Sequence, residues 1–220
     1  ERQNSQPLPS PDGKRLAFIE DLHTLRVLDR ESGRVVTLLT SEHIFGGGQF
    51  DWSPDGRWIL FTWAVPGRAA RDIGVVRTDG SGEIINLTQS GFSDSGAQWV
   101  LGGEAMVWRS NRDGLRSWQA TGGSEADVYA MFFTQKAHDE FRLTKEELEL
   151  RRNAQNEEGE GNRDRGRARN AAAATTSPPA LDFEGARDRR ERLTIHSSSL
   201  GGFLVSKDGE SLYYLARFER

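Results

Sequence analysis

The chain has 220 residues, of which 35% are apolar and 28% charged, enough to bury a sizeable core. Its 29 basic and 33 acidic residues leave a formal charge of -4, with no global field to draw nucleic acid or anionic lipid. No cysteine is present, which excludes a disulfide framework, a thiolate zinc site and a cysteine nucleophile, and no run approaches the roughly 18 apolar residues of a membrane span.

Glu1-Arg2-Gln3-Asn4 carries no signal-peptide pattern, and the stretch from Glu1 to Pro9 has little strand character. Ser10-Pro11-Asp12-Gly13 is turn chemistry: proline presets φ, aspartate bonds its own backbone and glycine accepts positive φ. Leu16 and Phe18 follow with strand periodicity. Residues 25–28 and 35–39 predict two more strands around Asp29-Arg30-Glu31-Ser32-Gly33, the second ending in Leu39-Thr40.

The pattern then restarts. Ser53-Pro54-Asp55-Gly56 leads into Ile59 and Phe61, residues 73–76 and 84–87 predict a hairpin around a glycine-rich turn, and Leu87-Thr88 closes the unit. A degenerate third copy, Val100-Leu101-Gly102-Gly103, precedes Met106 and Trp108, with a turn at Asn111-Arg112-Asp113-Gly114 and a third strand over 127–132. Leu193-Thr194 closes that unit, and Ser206-Lys207-Asp208-Gly209 with Leu212 and Tyr214 opens a fourth.

From each closing threonine to the next turn glycine is 16, 15 and 15 residues. Four strands per unit at this spacing predict an all-β fold, a β-propeller of about three blades plus the start of a fourth. That blade count is short of a ring, so the chain is expected to be a fragment of a longer protein. Turn glycines lie 43 and 47 residues apart and then 106, so the third unit carries an insertion in a loop that can grow without touching the blade core. The expected division is blades over 1–136, a charged insertion over 137–189, and the end of the third blade with the opening hairpin of the fourth over 190–220. Thr144-Lys145-Glu146-Glu147 is a capping box flanked by Leu143 and Leu148, which predicts a helix from Lys145 to about Arg152. From Asn153 to Pro179 almost no large apolar residue offsets ordering entropy, so order is expected to fade.

Candidate chemistry is sparse. His23, His43, His138 and His196 have no metal partner at a recognised spacing. His43 and His196 follow closing threonines in equivalent connections that could border a central channel, with Glu42 and Ser197 beside them; the plainer reading is solvated loop histidines. Ser197-Ser198-Ser199-Leu200-Gly201-Gly202 could supply a nucleophile, but the repeat explains it as a linker and no strand-to-helix turn accompanies it. Asp12, Asp55 and Asp208 recur at turns and read as backbone caps. Trp58, Trp63, Trp99 and Trp108 read as packing between blades, and Trp52 shares the repeat position of Trp99. Trp118 alone lacks a repeat reason. Asn86-Leu87-Thr88 matches a glycosylation sequon on a strand, and the basic run Arg163 to Arg169 reads as solvated loop. No catalytic, cofactor-binding or metal-ligating residue is assigned.

The Ser-Pro-Asp-Gly phrase resembles the repeat of TolB-type propellers, tricorn-type peptidases and prolyl-oligopeptidase-like enzymes. A sharper resemblance lies in Asp127-Val128-Tyr129-Ala130-Met131-Phe132-Phe133-Thr134-Gln135, Phe141-Arg142-Leu143-Thr144-Lys145-Glu146-Glu147 and Leu212-Tyr213-Tyr214-Leu215-Ala216-Arg217-Phe218-Glu219. With Ile84-Ile85-Asn86-Leu87-Thr88 and Asn111-Arg112-Asp113-Gly114, these are similar to the propeller region of bacterial tricorn-like serine peptidases, from about Phe50 to the end. The resemblance implies a non-catalytic portion that gates or guides unfolded peptides, with PDZ-like and catalytic domains downstream, in a periplasmic protein that could form homo-oligomers. No position matches the catalytic motif, and no cofactor, nucleic acid or membrane partner is implied. A free-standing TolB-type interaction propeller and a prolyl-oligopeptidase-like propeller remain open.

Overall fold

The computed structural model describes residues 3–41, 49–64, 70–117, 124–151, 153–154, 180–206 and 209–217. Turns of the Ser-Pro-Asp-Gly type set the strands into successive antiparallel sheets. The first sheet is β1 (Asn4–Pro9), β2 (Arg15–Glu20), β3 (Thr24–Asp29) and β4 (Val35–Thr40), in that order. The second is β5 (Phe50–Trp52), β6 (Trp58–Ala64), β7 (Arg71–Arg77) and β8 (Ile85–Asn86). The third is β9 (Asp94–Val100), β10 (Ala105–Ser110), β11 (Asp127–Phe132) and β12 (Arg190–Arg192). A two-stranded sheet, β13 (Ser199–Val205) with β14 (Leu212–Arg217), follows. Every strand pairs with its neighbour in sequence, so the architecture is the all-β, blade-by-blade one read from the repeat.

The turns owe their shape to the chemistry expected of them. In the first, the Ser10 hydroxyl donates to Asp12 Oδ1 at 2.6 Å and accepts the Arg15 amide at 2.9 Å, while Gly13 takes φ 70. In the second, Ser53 donates to Asp55 Oδ1 at 2.6 Å and accepts the Trp58 amide at 2.9 Å, with Gly56 at φ 69. The degenerate third copy bends through three successive positive φ values, 50, 64 and 98, at Leu101, Gly102 and Gly103, which replaces the missing side-chain caps with backbone freedom. Local propensity does not account for β1, which the sequence did not predict. It is held from outside by pairing with β2, Leu8 opposite Ala17, and by the Trp52 indole donating to the Leu8 carbonyl at 3.1 Å.

Packing between blades follows one rule of alternation. Residues four and six beyond the turn glycine face the next sheet, as Ala17 and Ile19 do against Ile59 and Phe61. Residues three and five beyond it face the previous sheet, as Met106 and Trp108 do against Leu60, Ile73 and Val75. The tryptophans at the shared repeat position stitch adjacent inner strands: Trp52 reaches Leu8 of the first sheet, and Trp99 donates its indole to the Asp51 carbonyl of the second at 3.2 Å. Arg15 reaches across the same seam, donating to Gly56 O at 2.7 Å and Thr78 Oγ1 at 2.8 Å while its guanidinium lies over the Trp52 ring.

Gly74 sits under the Phe61 ring, where a Cβ would come within 2.7 Å of the ring edge. Because Phe61 is buried between blades, Gly74→Ala is expected to force it off its rotamer and cost about 1–3 kcal/mol. Chemical denaturation reads that loss, and an unchanged midpoint would show that the ring has room to move.

The segment between β11 and β12 contributes α1 (Gln135–Phe141), which the sequence reading did not anticipate; Thr134 caps it by accepting the Ala137 amide at 3.2 Å. Residues 145–151 are helical too, and the predicted capping box is formed: Thr144 N and Oγ1 both donate to Glu147 Oε2, and Glu147 N returns to Thr144 Oγ1 at 3.3 Å. On its return the chain wedges Phe183 edge-on between Trp58 and Phe133, and Arg187 donates to the carbonyls of Asn86 and Leu87, so the insertion re-enters by tying blade two to blade three.

Candidate functional site

The connections that leave each closing threonine and the turns that follow second strands lie at one end of the sheets. This is the end at which β9 and β11 begin and β10 finishes. Among the described residues, segments 89–93 and 111–117 meet there, Ser93 N donating to Asn111 Oδ1 at 2.8 Å, and segment 195–198 runs at the same end beside Ala126. Glu42, His43, Trp118, the run Arg163 to Arg169 and Asp208 lie outside the described residues, as does most of the segment where order was expected to fade. The side chain of Trp63 lies outside them too.

The ordered feature of this rim is a carboxylate latch. Asp127, at the first position of β11, is fully buried and accepts from Thr194 Oγ1 at 2.6 Å, Arg192 Nη2 at 2.8 Å and Ser197 Oγ at 2.8 Å, while Thr194 Oγ1 accepts the Val128 amide at 3.3 Å. Asp72, at the same position of blade two, accepts from Thr88 Oγ1 at 3.4 Å, the Ser90 amide at 3.2 Å and Asn86 Nδ2 at 2.8 Å, with Thr88 Oγ1 accepting the Ile73 amide at 3.0 Å. Blade one has Thr24 there, with Thr24 Oγ1 3.3 Å from Thr40 Oγ1. Ser90 links the latch of blade two to blade three by donating to Asp94 Oδ2 at 2.6 Å, and Asp94 also takes the Trp108 indole at 3.3 Å.

The closing threonines were visible in the sequence as markers, but their acidic partners were not. The signal was present, since Asp72 and Asp127 hold the same register position near the start of the third strand of a unit, and Thr24 holds it in the first.

These contacts decide the fate of the candidate residues. The Ser197 hydroxyl is held between Asp127 and Arg192, donating to the carboxylate and accepting from the guanidinium. Ser198 is buried in a bridge with Ala126. Asn86 spends its side-chain amide on Asp72 and its carbonyl on the Gln89 amide, which leaves the sequon asparagine internally engaged. His196 is exposed at the rim. His138 is instead buried on α1, with Nε2 2.8 Å from Glu191 Oε1 and its ring against Phe132.

Charge is concentrated around Phe92, over which the guanidinium groups of Arg112 and Arg116 sit at 5.2 and 4.8 Å. Burial, with Arg112 as a like-charged neighbour, lowers the Arg190 pKa. The Tyr129 hydroxyl donates to Asp113, and burial together with that carboxylate raises its pKa. The rim can thus present cations and aromatic surface to a passing chain, and it offers hydrogen-bonded carboxylates whose partners are already filled.

Asp51 is a half-buried carboxylate whose charge its surroundings disfavour. Desolvation raises its pKa, only partly offset by the amides of Trp99 and Trp52. A native pKa above the unfolded one means that the protonated form favours folding, so this contribution is present in acid and lost as pH rises through the native pKa. Asp51→Asn is expected to leave the thermal midpoint at neutral pH equal or higher and to flatten its pH dependence. A fall at neutral pH would show that the amide contacts outweigh the burial.

No family model matches this sequence, and no curated protein matches it. Solved structures do. A crystal structure of the tricorn protease superposes with a TM-score of 0.60 at 11% identity, covering 92% of this chain and 18% of that one. TolB from Acinetobacter baumannii gives a TM-score of 0.44 at 20% identity over 60% of this chain and 30% of its own. An oligogalacturonate lyase in complex with manganese gives 0.41 at 17% identity, over 58% and 38%. This chain therefore spans well under two thirds of each of these proteins. At 11% identity the likeness to the tricorn protease is one of fold, and by that fold this chain is a run of β-propeller blades.

Proposed function

We propose that this chain is the non-catalytic propeller portion of a tricorn-like serine peptidase, where it gates or guides peptide substrates toward a catalytic domain carried elsewhere in the protein. The observation that carries the reading is the superposition on the tricorn protease across 92% of the chain, taken together with the resemblance of its strand and turn phrases to that family. The chemistry of the rim supports it. Latches between adjacent strands hold the blade ends rigid, while Phe92 with its two arginines and the exposed His196 supply a surface for extended chains. On this reading the parent protein is a periplasmic hydrolase whose PDZ-like and catalytic modules lie downstream.

The test compares the full-length protein with a version lacking residues 1–220. Cleavage of a short fluorogenic peptide should persist, while discrimination between unfolded casein and a folded protein should be lost. A full-length protein without peptidase activity would overturn the reading, and so would unchanged discrimination. The chain alone should hydrolyse nothing; activity abolished by replacing one serine would equally overturn it.

A further inference from the structure

The connection 89–93 and the hairpin 111–117 form a pinned platform at the rim. Asn111 N returns the bond from Ser93 by donating to Ser93 O at 3.4 Å, and Phe92 N donates to Ser90 Oγ at 3.1 Å. The hairpin continues the ladder beyond the end of the third sheet: Glu125 N donates to Leu115 O at 2.9 Å, Leu115 N to Glu125 Oε2 at 3.1 Å, and Arg116 bridges to Ser124. At Gly114 the two arms run so close that a Cβ would come within 2.5 Å of the Glu125 carbonyl oxygen. Backbone held at this many points presents its side chains already ordered, which lowers the cost of binding.

What the platform presents is positive charge without a counter-charge. The Arg112 and Arg116 guanidinium groups share the Phe92 ring, at 5.2 and 4.8 Å from its centroid, and one ring quadrupole does not neutralise two cations. Among the described residues neither arginine has a carboxylate within ion-pair distance, and Arg112 Nε is buried without an acceptor. The carboxylates of the same hairpin are engaged elsewhere, Asp113 by the Tyr129 hydroxyl and Glu125 by the Leu115 amide. A third cation, Arg190, feels the charge of Arg112 in addition to its own burial, against the opposing pull of Tyr129, Asp113 and Asp94. Apolar surface lies beside the charge: Leu115 is 77% exposed, and Ile195 is 80% exposed in the connection that joins this hairpin by pairing Ser198 with Ala126.

We propose that this platform binds side-chain carboxylates of an extended chain, and so selects acidic segments that also carry apolar residues. Complementarity commits the occupant. A guanidinium takes a carboxylate through paired N–H donors, but an exposed ion pair by itself adds little, so the apolar contacts at Leu115 and Ile195 are needed as well. A free anion lacks them. The proposal rests on the reading that the rim receives extended chains, and it holds whether or not a peptidase follows.

Fluorescence anisotropy of short peptides, amidated at the C-terminus and carrying an uncharged dye, tests it. A glutamate-leucine peptide should bind about tenfold more tightly than its glutamine-leucine counterpart at low salt, and the advantage should shrink by ~0.15 M salt, where the screening length is ~8 Å. Arg116→Glu, at an exposed position, should weaken that binding by about fivefold and strengthen binding of a lysine-leucine peptide. Should it fail to fold, Arg116→Gln gives the same loss in smaller measure. Arg34→Glu, exposed in the turn between β3 and β4 at the opposite end of the sheets, changes net charge equally and should leave both affinities unchanged. Equal binding of the glutamate and glutamine peptides would show that the rim takes chains without reading charge, and no binding of any peptide would remove chain capture too. An effect of Arg34→Glu as large as that of Arg116→Glu would assign the preference to net charge. Competition by inorganic polyphosphate or single-stranded DNA equal to that of the glutamate peptide would make this a general polyanion surface, and binding only of peptides with a free C-terminal carboxylate would make it a terminus clamp. Any of these results overturns the proposal.

Discussion

Trp108→Ala is expected to destabilise the chain by about 3–5 kcal/mol, a large share of the ~5–15 kcal/mol that holds a typical domain together. Trp108 is 0% exposed and lies in the cluster that joins blades two and three, stacked on Tyr129 with ring centroids 5.6 Å apart and packed with Leu60, Ile73 and Leu87. Interiors here are close-packed on both sides by rigid sheets, so the cavity left by an indole cannot collapse without tilting one blade on the other. Its Nε1 also supplies one of the donors to the buried carboxylate of Asp94. Trp108→Phe separates the two contributions: it keeps much of the apolar volume but leaves Asp94 with the Ser90 hydroxyl, and is expected to cost about 1–3 kcal/mol. Urea unfolding followed by circular dichroism reads both. A loss in the alanine variant no larger than in the phenylalanine variant would show that packing at this seam is not what stabilises it.

What the sequence made legible was whatever is dictated locally. Gly13, Gly56 and Gly209 adopt φ 70, 69 and 77 because the turn that each closes requires it, and that requirement is written into the residues beside them. The apolar alternation after Gly56 and Gly103 became burial, at Ile59 and Phe61 and at Met106 and Trp108, because those strands have a sheet on both faces; after Gly209, Tyr214 stays exposed. What escaped depends on partners distant in sequence. β1 is a strand because β2 and Trp52 make it one, and no feature of Gln6-Pro7-Leu8-Pro9 announces it. α1 begins in a stretch that reads as the end of a strand, and its start rests on one threonine cap. The latch joins Asp127 to Thr194 across 67 residues of sequence, most of them insertion, so neither residue looks like the other's partner along the chain. Of the candidate site, composition and spacing located the rim connections, whereas the pairing of Phe92 with two arginines needed three dimensions.

The same latch supports the second large prediction. Asp127→Ala removes a fully buried acceptor from Thr194, Arg192 and Ser197, and the loss falls unequally on them. Arg192, whose side chain is 34% exposed, can turn to water, so its ion pair contributes little to the cost. Thr194 is buried at 4% exposure and has no water to turn to. An expected destabilisation of about 2–4 kcal/mol follows, less than for a wholly buried pair broken on one side. Because Asp127 and Thr194 act as a unit, with Thr194 passing its other hydrogen bond to the Val128 amide, their effects should not add. Combining Asp127→Ala with Thr194→Val is expected to cost less than the two single losses together, by about 0.5–3 kcal/mol, whereas Asp72→Ala with Thr194→Val, in different blades, should be additive. Denaturant midpoints for the two cycles decide it. Coupling of equal size in both would mean that blades melt as one body and that the carboxylates report only global stability; additivity in both would mean that the buried carboxylate and threonine contribute independently despite their contact.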